Sequence, residues 1–145
     1  MRWLILLGLV LISLSGCSNA VNTSTRAGDA QLKERAKMAQ DNLSLMRAAA
    51  IKYFAKNKSA PEMHDDLTGF GAGPADVKAN EYYSEIGYTF FRLKFDENGQ
   101  LIEGKFRATP LAEADALIVM LDAKTGDFEF SPKDPQEPAS NGPAR

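Results

Sequence analysis

The dipeptide Asn98-Gly99 lies between two stretches, residues 88–95 and 101–109, in which apolar and polar side chains largely alternate. Alternation with a period of two is typical of a β-strand with one buried face. Asn-Gly between two such strands favours a type I′ turn, which joins antiparallel neighbours through a two-residue loop. The sequence therefore predicts a β-hairpin, which needs further structure against one face to be stable.

The two-residue loop also predicts which side chains lie opposite one another. One face would carry three apolar or small pairs, namely Phe95 with Ile102, Phe91 with Phe106, and Thr89 with Ala108. The other face would carry an ion pair and a cation–π pair, namely Lys94 with Glu103 and Phe90 with Arg107. Arg92 opposite Lys105 would be the one mismatched pair. Because the other pairs match in chemistry, we expect this register.

A second hairpin is predicted after the first. Residues 117–121 are apolar on both faces, which is typical of a central strand. The turn would contain Lys124-Thr125-Gly126, and in the strand that follows Phe128 and Phe130 would point to one face and Glu129 to the other. The two hairpins together predict an antiparallel sheet of about four strands.

A long helix is predicted before the sheet, over residues 29–57, with Asp29 as its N-cap. Apolar residues recur every three or four positions and form one stripe: Leu32, Ala36, Ala39, Leu43, Met46, Ala50 and Tyr53. The first half of the stripe is mostly alanine, so we expect the second half to pack on the domain and the first half to project. Self-association as a coiled coil is the alternative, but alanines make poor knobs, and packing on the chain's own sheet is preferred.

Residues 58–79 form a connector, because prolines and glycines such as Pro61 and Gly71 prevent a long element. Within it, Asp65-Asp66-Leu67 is expected to begin one helical turn. The order of elements predicts an α+β fold in which one long N-terminal helix packs on a small antiparallel sheet made of two hairpins.

The N-terminus has the pattern of a secretory signal peptide. Met1-Arg2 supplies a positive charge, and residues 3–14 are almost entirely apolar. A helix over that run would be roughly 18 Å long, too short for a bilayer core of about 30 Å. A charged start, a short apolar run and small residues after it indicate a cleaved signal rather than a transmembrane helix.

The segment Leu14-Ser15-Gly16-Cys17 resembles the bacterial lipobox. The resemblance implies cleavage between Gly16 and Cys17, a diacylglycerol on the Cys17 sulfur and a further N-linked acyl chain such as palmitate. The alternative is a chance cysteine near an ordinary cleavage site. Because Ser18 rather than aspartate follows the cysteine, the resemblance further implies the periplasmic face of the outer membrane.

These observations divide the chain into four parts. Residues 1–16 are the predicted signal peptide, and residues 17–28, which are small and polar, are a lipidated flexible tether. Residues 29–131 are the α+β domain. Residues 132–145 are rich in proline and poor in apolar side chains, which predicts a disordered tail.

The domain resembles the head of type IV pilins and their pseudopilin relatives. Five segments carry the resemblance: the helix end at residues 45–61, His64-Asp65-Asp66-Leu67, Gly87-Tyr88-Thr89-Phe90, Phe106-Arg107-Ala108-Thr109-Pro110, and the closing hairpin at residues 121–128. The chain departs from the family because it has no prepilin cleavage motif and because residues 18–41 are too polar for a filament core. The resemblance therefore implies a pilin-like head on a different anchor, without implying filament assembly.

The residues provide no recognisable catalytic or cofactor chemistry. His64 is the single histidine, and Cys17 the single cysteine, so a metal centre or a nucleophile–base pair lacks its second member. The acidic turns at residues 96–99 and 122–127 resemble parts of calcium loops but lack the distant glutamate that completes such a loop. We predict no enzyme activity, no metal and no cofactor besides the covalent lipid. A net charge of −2 without a basic cluster argues against nucleic acid as a partner.

Aromatic side chains are the better candidates for an interaction surface. Tyr82, Tyr83, Tyr88 and Phe90 lie at and before the start of the first strand. Exposed aromatics are enriched at protein interfaces. The alternative is that they form the core or the edge of the sheet.

The sequence thus predicts a non-enzymatic, membrane-anchored envelope lipoprotein whose pilin-like head binds another envelope protein. The resemblance suggests a component of a type IV pilus or a type II secretion system as that partner. The alternative is a module that binds a small ligand or the cell wall in the gap between the helix and residues 61–79.

Overall fold

The computed structural model describes the backbone of residues 20–132 and the side chains of residues 28–132. The predicted signal peptide, Cys17 and nearly all of the predicted tail lie outside the described residues. The elements in order are α1 (Ala20–Arg35), α2 (Lys37–Asn57), a 3-10 helix (His64–Phe70), a short 3-10 turn (Glu85–Gly87), β1 (Tyr88–Phe95), β2 (Leu101–Ala108), β3 (Ile118–Asp122) and β4 (Phe128–Ser131).

The four strands form one antiparallel sheet in the order β1-β2-β3-β4, and α2 packs on one of its faces. The α+β class and the small four-stranded sheet are therefore confirmed. The core lies between α2 and the sheet, where the side chains of Leu43 and Met46 meet those of Phe106 and Leu121. None of the helices in this part of the chain combines the length and the apolar content needed to cross a bilayer.

The helical region differs from the single helix predicted over residues 29–57. It is divided at Ala36, although hydrogen bonds from Ala36 N to Leu32 O (3.1 Å) and from Gln40 N to Ala36 O (3.0 Å) continue across the division. Asp29 lies inside α1, because α1 begins at Ala20, and therefore does not cap it. The helical region also packs on the domain from a point nearer its N-terminus than predicted. Ala36 and Ala39 are fully buried, because their small side chains allow the helix to lie close to its neighbours.

The register predicted for the first hairpin is wrong by one residue over most of its length. Phe90 pairs with Phe106, not with Arg107, and Phe91 pairs with Lys105 and is 42% exposed. The cause is the turn: Asp96 N bonds Gln100 O (2.9 Å), so the loop has three residues, with Gly99 at φ +80°. This is the type I turn with a G1 bulge, and it is favoured because the Asp96 carboxylate accepts the N–H groups of Asn98 and Gln100.

A bulge in β1 then changes which side chains face the core. Arg92, at φ +56°, and Leu93 lie together opposite Gly104. Strict alternation from Tyr88 would turn Arg92 and Lys94 toward the core, whereas the bulge turns Leu93 inward instead. The predicted pair of Lys94 with Glu103 is nevertheless present, with Nζ 2.6 Å from Oε2.

The second hairpin agrees with its prediction. β3 lies between β2 and β4, and in β4 Phe128 and Phe130 are half-buried while Glu129 is exposed. The carboxylate of Asp122 accepts the N–H groups of Thr125 (2.8 Å) and Lys124 (2.9 Å), which closes the turn. These bonds, that of Thr125 first, hold the pKa of Asp122 below its ordinary value.

The connector packs against α2 and contains the predicted helical turn. The carboxylate of Asp66 accepts the N–H groups of Glu62 (2.8 Å) and Met63 (3.1 Å) and so caps the 3-10 helix, whose Leu67 is fully buried. The His64 ring is half-buried, and its Nε2 lies 2.8 Å from Ala72 O. Desolvation lowers the pKa of His64 below its ordinary value of 6.5.

This shift predicts a loss of stability in weak acid. Because the pKa is lowered in the folded state, the unfolded chain binds the proton more readily, and the free energy of unfolding falls as the pH drops from about 6.5 toward the folded-state pKa. We expect His64→Gln, whose amide can still donate to Ala72 O, to make unfolding less dependent on pH in this window. Urea titrations at a series of pH values give the free energy of unfolding at each pH. The same dependence of that free energy on pH in the wild type and in His64→Gln would contradict the prediction.

Candidate interaction surface

The four aromatic residues predicted as an interaction surface lie in different environments. Tyr83 and Tyr88 are 0% and 1% exposed, so both belong to the core. Phe90 is half-buried, and its ring lies 5.8 Å from that of Phe106, on the face of the sheet that α2 covers. Tyr82 is also half-buried, but it lies outside the sheet, in the segment before β1. A surface made of all four residues is therefore wrong, because the observed register turns Tyr88 and Phe90 inward.

Tyr88 is buried against Asn42, the one polar or charged residue that is buried within residues 28–132. Asn42, only 4% exposed, donates from Nδ2 to the Tyr88 hydroxyl (2.8 Å) and to Lys78 O (2.8 Å). Its Oδ1 accepts Lys78 N–H at 3.2 Å. Desolvation raises the pKa of Tyr88. Asn42 thus joins α2, the connector and β1, and it positions the segment that leads to Tyr82.

Tyr83 is held by hydrogen bonds at both ends. Its hydroxyl donates to Leu117 O (2.7 Å), while its backbone N–H and that of Tyr82 both donate to Asn80 Oδ1 (2.8 Å each). Burial raises the pKa of Tyr83 to about 12. Tyr83 is therefore fully inside the core, whereas its neighbour Tyr82 is half-buried and packs at the edge of the core.

Removing one hydroxyl tests this arrangement. We expect Tyr83→Phe to lower the free energy of unfolding by about 1–2 kcal/mol, because Leu117 O loses its donor. Tyr82→Phe is the matched control and should change stability by less than about 0.5 kcal/mol, since its hydroxyl is not buried. Denaturant unfolding of both variants provides the measurement, and equal losses would contradict the difference in burial.

Tyr82 is packed beneath an arginine from the end of α1. The guanidinium carbon of Arg35 lies 5.3 Å from the ring centroid of Tyr82, and Arg35 Nη1 is 2.8 Å from Asp115 Oδ2. A hydrogen bond with the neighbouring Glu81 raises the pKa of Tyr82. The charge of Arg35 is therefore already matched within the molecule.

A groove of about 520 Å³ opens beside Tyr82. Its lining comes from the α1–α2 region and from the segment before β1: Gln31, Glu34, Arg35, Lys37, Met38, Asp41, Asn80 and Tyr82. Met38 and Tyr82 supply apolar surface, and the other side chains are polar or charged. The groove is largely open to solvent and does not enclose a small molecule.

Two exposed apolar side chains extend this surface. Tyr82 O accepts Leu111 N–H (2.8 Å) and Gly87 O accepts Thr109 N–H (2.9 Å), so residues 82–87 and 109–111 run side by side. Ile86 is 87% exposed and Leu111 is 36% exposed. We call the groove together with Ile86 and Leu111 the Tyr82 surface. The sequence analysis missed Ile86, because a single isoleucine in a turn has no periodicity that would indicate its exposure.

Acidic side chains surround the Tyr82 surface. Exposed carboxylates on the contributing segments are those of Glu34, Asp41, Glu81, Glu85, Glu113 and Asp115. Within residues 28–132, only Asp115 of these has an ion-pair partner within 4 Å. The basic residues on the same segments are Lys33, Lys37, Lys78 and the already paired Arg35. Arg35 and Lys37 line the groove together with Glu34 and Asp41, so the charge in the groove is balanced, and the excess of carboxylates lies outside it.

The gap proposed for a small ligand, between α2 and residues 61–79, is filled. Leu67, Ala72 and Val77 are buried in it, and the rings of Tyr53 and Phe70 meet edge-on at 5.4 Å. In the part of the chain that the structure describes, no three potential metal-ligating side chains come together.

No family model, curated protein or solved structure matches this chain. The resemblances to the lipobox and to the pilin head therefore rest on the residues quoted for them.

Proposed function

We propose that this protein is a lipid-anchored, non-enzymatic envelope lipoprotein whose α+β head binds another envelope protein through the Tyr82 surface. The observation that carries the proposal is the 87% exposure of Ile86, four residues after Tyr82, which itself lines an open groove. Covering a large aliphatic side chain with a partner removes apolar surface from water, which favours association.

The anchor in this proposal is Cys17, cleaved from Gly16 and carrying a diacylglycerol and an N-linked acyl chain. The lipobox-like segment and the short apolar run before it support this assignment. Several acyl chains on one residue hold a protein firmly to a leaflet, whereas one chain holds it marginally. Ser18 supports the periplasmic face of the outer membrane as the location.

The resemblance to pilin heads suggests the kind of partner, a component of a type IV pilus or a type II secretion system. The succession of a helical region, a connector and a sequential four-stranded antiparallel sheet supports a pilin-like head. The inference from such a head to that partner rests on fold analogy. The small-ligand alternative has no comparable support, since the gap predicted for it is filled.

The anchor is tested in the native envelope. We expect Cys17→Ser to move the protein from the membrane fraction to the soluble fraction, because no thioether can then form. Mass spectrometry of the wild-type protein should show a chain that begins at Cys17 and carries acyl groups. A chain that keeps residues 1–16, or an unacylated Cys17, would refute the anchor.

The interaction is tested by photo-crosslinking in cells. A photoreactive amino acid at Ile86 should give a specific adduct with one envelope protein, identified by mass spectrometry. The same amino acid at Glu97, an exposed residue of the hairpin loop at the other end of β1, is the control. The interaction proposal fails if position 86 gives no adduct, or if both positions capture the same proteins with equal yield.

A further inference from the structure

We infer that the outward face of α2 pairs with the same face of a second copy of this chain, with the two helices antiparallel. This inference goes beyond the proposed function, because it concerns a face of the head that does not include Ile86. It follows from the spacing, the size and the charge of the side chains that α2 turns away from the sheet.

The outward face of α2 carries its own stripe of side chains. The inward face, with Leu43 and Met46, is covered by the sheet. The members of the outward stripe recur at alternate spacings of three and four residues: Met38, Asp41, Leu45, Ala48, Lys52 and Ala55. Met38 is half-buried and the other five are exposed, with Leu45 at 41%. This spacing places side chains on the seam between two packed helices.

Antiparallel pairing matches these side chains in size. About a two-fold axis midway between residues 45 and 48, every contact occurs twice. The opposed pairs would be Leu45 with Ala48, Met38 with Ala55, and Asp41 with Lys52 of the second copy. Each large apolar side chain therefore meets a small one, which lets the helices approach closely.

The two charges of the stripe select the orientation and the register. Within residues 28–132 neither Asp41 nor Lys52 has an ion-pair partner. Antiparallel pairing brings them together and gives two ion pairs per dimer. Parallel pairing would instead place Asp41 against Asp41 and Lys52 against Lys52, which repel. A shift of the antiparallel pair by one heptad in either direction would separate Asp41 from Lys52 again, so charge complementarity favours one arrangement.

The groove provides space for the second helix. Met38 and Asp41 belong both to the outward stripe and to the lining of the groove of about 520 Å³. In the antiparallel arrangement the C-terminal half of the other copy's α2 would lie along this half of the stripe, with the small Ala55 next to Met38. Ile86 and Leu111 are not part of the stripe, so they remain available to the envelope partner.

The contact is small, because each copy contributes only two large apolar side chains to it. We therefore expect a weak dimer. Two chains anchored in the same leaflet have a raised effective concentration, which promotes such an association without any further contact. Native membranes are for this reason the place to test it.

Disulfide crosslinking of the full-length protein in native membranes tests the orientation. One tagged copy carries Met38→Cys and a differently tagged copy carries Ala55→Cys. Together they should crosslink on mild oxidation. Neither variant alone should form a dimer, because antiparallel pairing separates identical positions by roughly 26 Å along the helix axis, too far for a disulfide. Met38→Cys with Glu97→Cys, in the exposed hairpin loop, is the matched control, and the wild type gives the background from Cys17.

Charge reversal in both copies tests the register. We expect Asp41→Lys alone, or Lys52→Asp alone, to slow crosslinking between positions 38 and 55 about tenfold, because each turns two attractions into two repulsions. The two changes combined should restore the rate, since the charges are then exchanged and still complementary. Glu97→Lys changes the net charge as Asp41→Lys does but lies off the stripe, and it should leave the rate unchanged.

Three results would overturn the inference. They are crosslinking of the mixed pair no faster than that of the Glu97→Cys control, equally fast crosslinking of identical positions, and failure of the combined charge reversal to restore the rate. A photoreactive amino acid at Ala48 that captures another envelope protein and no second copy would also overturn it. An adduct from position 86 does not depend on this contact, so failure of the dimer and failure of the proposed function are distinguishable.

Discussion

Replacing Asn42 by leucine is expected to lower the free energy of unfolding by about 3 kcal/mol. The substitution leaves the Tyr88 hydroxyl and both backbone groups of Lys78 without the partners they have in the folded protein. Each buried polar group that loses its partner costs about 1–3 kcal/mol, partly recovered where water can enter. Urea denaturation followed by circular dichroism measures the change.

Ser44→Leu, at an exposed position of the same helix, is the control for Asn42→Leu and should change stability by less than about 0.5 kcal/mol. Adding Tyr88→Phe to Asn42→Leu should cost less than the sum of the two single changes, because the same hydrogen bond is lost in both. A loss below about 1 kcal/mol for Asn42→Leu would mean that this network does not join α2 to β1.

Replacing Gly104 by alanine is expected to lower the free energy of unfolding by about 3 kcal/mol or more. Gly104 has φ +122°, a backbone conformation that residues other than glycine rarely adopt. A Cβ there would also lie 2.9 Å from Arg92 O and 2.7 Å from Leu93 Cδ2. Thermal and denaturant unfolding both measure the loss.

Two other glycines separate backbone strain from crowding. Gly126 has φ +81° but open space around it, so Gly126→Ala should cost about 1 kcal/mol from the left-handed conformation alone. Gly69 is neither crowded nor at positive φ, and Gly69→Ala should be within about 0.5 kcal/mol of wild type. The loss of stability should be largest for Gly104→Ala, smaller for Gly126→Ala and smallest for Gly69→Ala. Any other order of the three losses would contradict this separation of crowding from backbone strain.

The sheet shows how far local pattern predicts this fold. Alternation around Asn98-Gly99 and the apolar run before Lys124 correctly predicted the strands, because a period of two has one structural interpretation. The register could not be predicted from Asn-Gly alone. The Asp96 carboxylate accepts two backbone N–H groups and so stabilises a three-residue loop, which forms in place of the two-residue turn. One added loop residue shifts the pairing by one position, and only the pair of Lys94 with Glu103 is restored by irregularities in the strands.

The candidate site was less predictable than the sheet. Of the four aromatic residues, only Tyr82 lies at the surface that the structure indicates. Sequence places Tyr82 and Tyr83 side by side and cannot say which points inward. Among the described residues, the inward ring is identified by the Tyr83 hydroxyl, which donates to Leu117 O from a segment 34 residues further along the chain.

The sequence by itself determined the α+β class, the two hairpins and the absence of a second histidine or cysteine, because these depend on local periodicity and on counting. Only the tertiary structure decided the strand order in the sheet, the one-residue register, the bulge at Gly104 and the exposure of Ile86. Each of those depends on contacts between segments distant in the chain, which no local pattern records. The Tyr82 surface is such a product, assembled from the helical region and from residues 80–87 and 109–111.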